Sequence, residues 1–110
     1  MKTYDFARNI IMTYRQIILR NKEYTLARQL LRSGTSIGAN IEEAIGGQSR
    51  RDFIAKMAIS YKEARESCYW IRLLLDTGYL NSDEARKLLF ECNEIVKIIA
   101  SILLTTKKNS

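Results

Sequence analysis

Apolar side chains recur along this chain at intervals of three and four residues, the repeat that gathers them on one face of an α-helix. The pattern restarts four times. From about Thr3 to Arg20, the residues Phe6, Ile10, Ile11, Tyr14, Ile17 and Ile18 share a face, with Thr3 as the expected N-cap and Asp5 at the positive end of the dipole. The break at Asn21-Lys22-Glu23 is short enough to turn the next helix back antiparallel. From about Tyr24 to Gly46, the stripe is Leu26, Leu30, Ile37, Ile41 and Ala44. Its phase passes unbroken through the small-residue run Ser33-Gly34-Thr35-Ser36-Ile37-Gly38-Ala39. Taken locally, Ser-Gly-Thr-Ser reads as a turn. The continuous phase predicts instead one helix whose small side chains let a neighbouring backbone come close, ended by Gly46-Gly47.

A third helix opens at Ser49-Arg50-Arg51-Asp52, close to a capping box, carries Phe53, Met57, Ala64, Cys68, Ile71 and Leu75 as its core stripe, and stops at Gly78. The fourth opens at Asn81-Ser82-Asp83-Glu84, buries Leu88, Leu89, Cys92, Ile95, Val96, Ile99 and Leu103, and ends in Lys107-Lys108. Four amphipathic helices joined by short loops predict an all-α, antiparallel up-down-up-down four-helix bundle, a single domain over residues 1–110.

Composition sharpens this picture. The complete absence of proline suits long uninterrupted helices. Apolar residues form 46% of the chain and charged residues 27%, and charge interrupts every apolar stretch before the ~18 residues a membrane span needs. No signal-peptide pattern follows the N-terminus, so a cytoplasmic protein without a membrane partner is expected. Cys68 and Cys92 are too few for a disulfide framework and lack metal-ligand spacing, so buried free thiols are expected.

Three features exceed the needs of a core. The first is a second apolar edge: Met12 and Leu19 on the first helix, with Arg8 and Arg15 beside them, and Ile59, Trp70 and Leu74 on the third. Aligned apolar residues that include a tryptophan mark a contact surface, so these five are the expected self-association interface. The second is a polar line, Ser33, Ser36, Asn40 and Glu43, matched by Ser60, Glu63 and Ser67. It is expected to form a hydrogen-bonded structural seam between helices rather than a ligand site built on Glu43 and Glu63.

The third feature is positive charge. Eighteen Lys and Arg against 12 Asp and Glu leave a net charge of +6, which favours anionic partners. Arg50, Arg51, Lys56, Lys62, Arg65 and Arg72 cluster on the third helix, and Arg8 and Arg15 lie on the first. Contact with RNA or DNA phosphates needs no particular spacing of such groups. No sequence-reading motif accompanies them. The expected nucleic-acid contacts are Arg8, Arg15, Arg50, Arg51, Lys56, Lys62 and Arg65. A scaffold for an unidentified protein, using the edge that holds Trp70, is the competing reading.

An enzyme is not expected. Histidine is absent, which removes the commonest general base and metal ligand and every Ser-His or Cys-His pair. There is no phosphate-cradling glycine loop, no Glu-x-x-His metal motif and hence no expected metal or cofactor.

The run Leu31 to Ala44 resembles the most characteristic stretch of one family, the small four helix bundle proteins associated with intervening sequences in bacterial large-subunit ribosomal RNA genes. The family pattern is a basic residue, then Ser-Ile-x-x-Asn-Ile-x-Glu and a small residue; Arg32, Ser36, Ile37, Asn40, Ile41, Glu43 and Ala44 match it. Arg51-Asp52-Phe53-Ile54, the stretch from Ser60 to Glu63, and Gly78-Tyr79-Leu80 also fit. Many members have Glu-Gly where this chain has Glu43-Ala44, which places it in a subgroup. The resemblance implies an antiparallel four-helix bundle assembled into a ring, often a pentamer. The accessory protein of diversity-generating retroelements is similar in fold, and there a basic pentameric barrel binds nucleic acid and a reverse transcriptase.

Overall fold

In the computed structural model, which describes residues 2–109, four helices form: α1 (Lys2–Asn21), α2 (Thr25–Ile45), α3 (Arg50–Asp76) and α4 (Ser82–Lys108). Met1 and Ser110, the outermost residues of the expected domain, lie outside the described residues. Local chemistry sets the boundaries. Ser49 accepts the Asp52 backbone N–H at 3.0 Å to start α3. Asn81 and Glu84 form a reciprocal capping box at the start of α4. At the end of α3, Gly78 takes φ +87°, a left-handed conformation that glycine alone adopts without penalty. Its N–H reaches the Leu75 carbonyl at 3.1 Å and the Tyr79 N–H reaches Leu74 at 2.9 Å, the paired bonds of a Schellman motif. Thr3 lies inside α1 and is buried, so it is not the cap expected of it.

Around the bundle, α1 packs on α2 and α4, and α3 packs on the same two helices. Rising residue numbers on one helix meet falling numbers on its neighbour. Lys2 meets Glu94 and Arg20 meets Glu84 across α1 and α4; Arg32 meets Glu63 and Glu43 meets Lys56 across α2 and α3. The result is a rod of 47 × 21 × 20 Å whose axis is a single core of Phe6, Ile10, Ile17, Leu30, Ile37, Ile71, Leu74, Cys92 and Ile99.

The small-residue run does continue as helix. Gly34 is buried against Ile10 of α1, so the missing side chain is what lets these two helices approach. Apolar assignments are corrected on two helices. Leu74, expected at an interface between copies, is fully buried, whereas Leu75, expected in the core, is only partly so. The reason is that the inner face of α3 is centred on Met57, Ser60, Ala64, Ser67, Ile71 and Leu74, a 3-4-3-4-3 line that includes two serines. Ser60 and Ser67 hide it from a hydrophobicity count. On α1, Ile11 is exposed because the inward face is the line of Thr3, Phe6, Ile10 and Ile17.

Candidate nucleic-acid interface

With the inner face of α3 fixed, its outer face follows from the helical repeat. Arg51, Ala55, Ala58, Lys62, Arg65, Tyr69 and Arg72 fall at spacings of 4, 3, 4, 3, 4 and 3, directly opposite the core line. All but the partly buried Ala58 are exposed. The face runs about 32 Å at 1.5 Å per residue. It carries four cations, and its next acid, Asp76, comes one turn beyond Arg72. The two alanines leave it flat between Arg51 and Lys62, giving a long surface room to lie close.

Interactions on the α2 side of α3 position the aromatic member. Arg32 of α2 binds both oxygens of Glu63, at 3.0 and 3.3 Å, and also pairs with Glu66. These two carboxylates raise the Arg32 pKa against the effect of desolvation, the largest single contribution, which lowers it. Glu66 in turn accepts the Trp70 indole N–H at 2.9 Å. The Trp70 ring then braces Tyr69 edge-on, with centroids 5.0 Å apart and planes at 70°. Tyr69 is thereby held half-exposed between Arg65 and Arg72. On the other flank, the Arg65 guanidinium contacts the Tyr61 hydroxyl at 3.4 Å, and that bond raises its pKa.

The expected contact residues are thus separated. Arg51, Lys62 and Arg65 share the outer face of α3. Lys56 does not: it points toward α2 and is paired with Glu43 at 3.1 Å. Arg50 turns toward α4 and donates to the Asn109 carbonyl at 2.7 Å, capping that helix end. Arg8 and Arg15 are exposed on α1, which has no contact with α3, so within one chain they form a different surface. They lie there with the exposed Tyr4, Ile11, Met12 and Leu19. Tyr69, absent from the sequence-derived set, was findable from the same 4-3 spacing that links the cations.

The polar seam is also redrawn. Its buried part is Ser33, Ser60 and Ser67: Ser67 Oγ lies 2.9 Å from Ser33 Oγ and 2.8 Å from the Glu63 carbonyl, and Ser60 donates to the Ile37 carbonyl at 2.8 Å. Ser36 and Asn40 instead bond back to carbonyls of their own helix, at Arg32 and Ser36, while Glu43 is exposed. Back-bonding one turn away satisfies a polar side chain without any neighbour, which is why sequence spacing alone did not separate the two groups. Among the described residues no buried side-chain polar atom lacks a partner, and no cluster of acids and thiols has a metal-binding arrangement. Ile59 is exposed beside α2; Trp70 is half-buried and committed to Glu66.

One cavity stands apart from these surfaces. At the end of the bundle where α1 begins, Ile41, Met57, Ile95, Ile98, Ile99 and Ile102 line an apolar groove of about 270 Å³. Among the described residues no helix is long and apolar enough to cross a membrane.

The chain matches the 23S rRNA-intervening sequence protein family over residues 1–101. It is similar to a protein of unknown function from the S23 ribosomal protein family of Bacteroides thetaiotaomicron VPI-5482, with 43% identity and a TM-score of 0.91 over 93% of this chain and 94% of that one. No curated protein matches it.

Proposed function

The chain belongs to the 23S rRNA-intervening sequence protein family, and we propose that it works there as a cytoplasmic, non-enzymatic, homo-oligomeric bundle that binds structured RNA or DNA through the outer face of α3. The observation that carries this reading is the acid-free line of Arg51, Lys62, Arg65 and Arg72 with Tyr69 among them. Each cation that meets a phosphate releases a condensed counterion, and a tyrosine face offers stacking to an unpaired base. Arg51 sits in the first turn of α3, where positive charge opposes the helix dipole.

Assembly would multiply the effect. Five copies of a +6 chain carry roughly +30, a field that steers anions strongly. The α1 edge of Tyr4, Ile11, Met12 and Leu19 supports self-association, because its exposed apolar groups repeat along one outward face. A scaffold reading anchored on Trp70 is weaker, since the indole is already bonded to Glu66 and packed against the core.

Anisotropy titrations with a duplex and a hairpin RNA test the binding. Micromolar or tighter binding is expected at about 50 mM salt, weakening steeply as salt rises; no binding there sinks the proposal. Light scattering tests the assembly separately. The wild type is expected well above the 12.7 kDa monomer mass, and Met12→Glu with Leu19→Glu is expected to bring it down to that mass. A wild type that is monomeric at micromolar concentration removes the oligomer and leaves the α3 face to be judged alone.

A further inference from the structure

The two cysteines, 24 positions apart in sequence, meet in the core where α3 packs on α4. Their sulfurs are 2.7 Å apart and both thiols are free. No apolar packing requirement places a second sulfur there; alanine or valine fills such a position as well. The pair is asymmetric. Cys92 is fully enclosed and its sulfur lies 3.1 Å from the Ala64 carbonyl, whereas Cys68 is 6% exposed and its sulfur also approaches Asn93 Oδ1 at 3.6 Å. Arg65 and Arg72 bracket Cys68 one turn to either side on α3.

We propose that Cys68 and Cys92 are a modification site, a dithiol that closes reversibly into an intramolecular α3–α4 disulfide when a peroxide or a small-molecule disulfide reaches Cys68. The inference does not depend on the nucleic-acid reading. With hydrogen peroxide, Cys68 sulfur attacks one peroxide oxygen, the O–O bond breaks, and Cys68 sulfenic acid and water form. Cys92 sulfur then attacks the Cys68 sulfur, its proton leaves with the hydroxyl as a second water, and the S–S bond closes. Two thiols lose two electrons and two protons in all, and one peroxide becomes two waters. With a small-molecule disulfide, Cys68 breaks its S–S bond and releases one thiol, Cys92 then displaces the other from Cys68, and one disulfide becomes two thiols.

The division of labour follows the surroundings. The close sulfur contact with Cys92, then the positive charges of Arg72 and Arg65, hold the Cys68 pKa below its ordinary value against the opposing effect of burial. Cys92 is pushed the other way, by Cys68 as its partner and by burial. Cys68, the less enclosed sulfur, is the one that meets the oxidant, and Cys92, held behind it against the Ala64 carbonyl, resolves it. Because the sulfurs already touch, resolution needs no unfolding.

The experiment treats the whole folded protein with a few equivalents of hydrogen peroxide, and separately with oxidised glutathione. Free thiols are then counted after denaturation and intact mass is measured. The expected result is a fall from two thiols to none, a loss of two hydrogen masses, unchanged chain mass on a non-reducing gel, and full recovery with dithiothreitol. Cys92→Ser should strand Cys68 as the glutathione adduct, and Cys68→Ser should leave Cys92 unmodified while folded; circular dichroism checks that both variants are helical. Two thiols surviving treatment would overturn the proposal, as would Cys68 ending as the sulfinic acid in the wild type or a disulfide that joins two chains.

Discussion

Reversing three charges together, Lys62→Glu, Arg65→Glu and Arg72→Glu, is expected to lower the proposed nucleic-acid affinity by roughly a thousandfold at about 50 mM salt. The magnitude follows from counterion release. Each phosphate contact contributes about 0.9 to the slope of log affinity against log salt, so at this salt one such pairing is worth roughly tenfold. Removing three phosphate partners from one engaged chain therefore takes away about three decades, and the slope itself falls by about three. All three side chains are exposed, so the fold survives the change with little loss. Arg86→Glu, Lys87→Glu and Lys97→Glu on α4 supply the control, because they change net charge by the same amount on another face. That triple variant should lose about tenfold, through the general field alone. Equal losses from both triples would show that overall charge, and not the α3 face, holds the nucleic acid.

The four helices were legible in the sequence because the strongest signals, apolar periodicity and caps, are local. Asn81 with Glu84 and Gly78 after Asp76 each announce a boundary through chemistry that needs no tertiary partner. What failed was rotational phase on α3. Periodicity locates a buried face by its apolar residues, and here Ser60 and Ser67 occupy the middle of that face. Their hydroxyls are satisfied by the Ile37 carbonyl, the Glu63 carbonyl and Ser33, partners that lie across the helix pair or one turn back. Without those partners in view, Leu75 looked buried and Leu74 looked free. The same gap misassigned the cations. Lys56 and Lys62 are equivalent as sequence, and only the placement of Glu43 on the adjoining helix neutralises one of them. Contact between Cys68 and Cys92 was illegible for a related reason: it depends on the register of α4 against α3, which no local pattern encodes.

Gly34→Val lowers stability by about 3 kcal/mol, at the upper end of the usual cost of overpacking a filled core. A side chain at Gly34 meets Ile10 of α1, with an added Cβ 2.9 Å from both Cγ1 and Cγ2 and 3.3 Å from Cβ. Carbon atoms prefer about 3.5–4.0 Å. Ile10 is fully buried and its clashing atoms are close to its own backbone, so it has no room to turn aside. The thermal midpoint should fall by roughly 12 °C, taking about 4 °C per kcal/mol for a domain of this size, at fixed protein concentration. Even Gly34→Ala should destabilise, although the same change in an open helix gains about 1 kcal/mol of helix propensity. Gly38, one turn on, is the internal contrast. A Cβ there comes no closer than 3.4 Å to Thr3, an approach that the side chain accommodates by a small shift. Gly38→Ala should therefore be neutral or gain up to about 1 kcal/mol. Trimming the obstacle completes the test, because Ile10→Ala costs about 2–5 kcal/mol alone but should partly compensate Gly34→Val, leaving the pair about 1–3 kcal/mol better than the sum. Strict additivity, or a stabilising Gly34→Ala, would mean that α1 and α2 do not approach closely at this glycine.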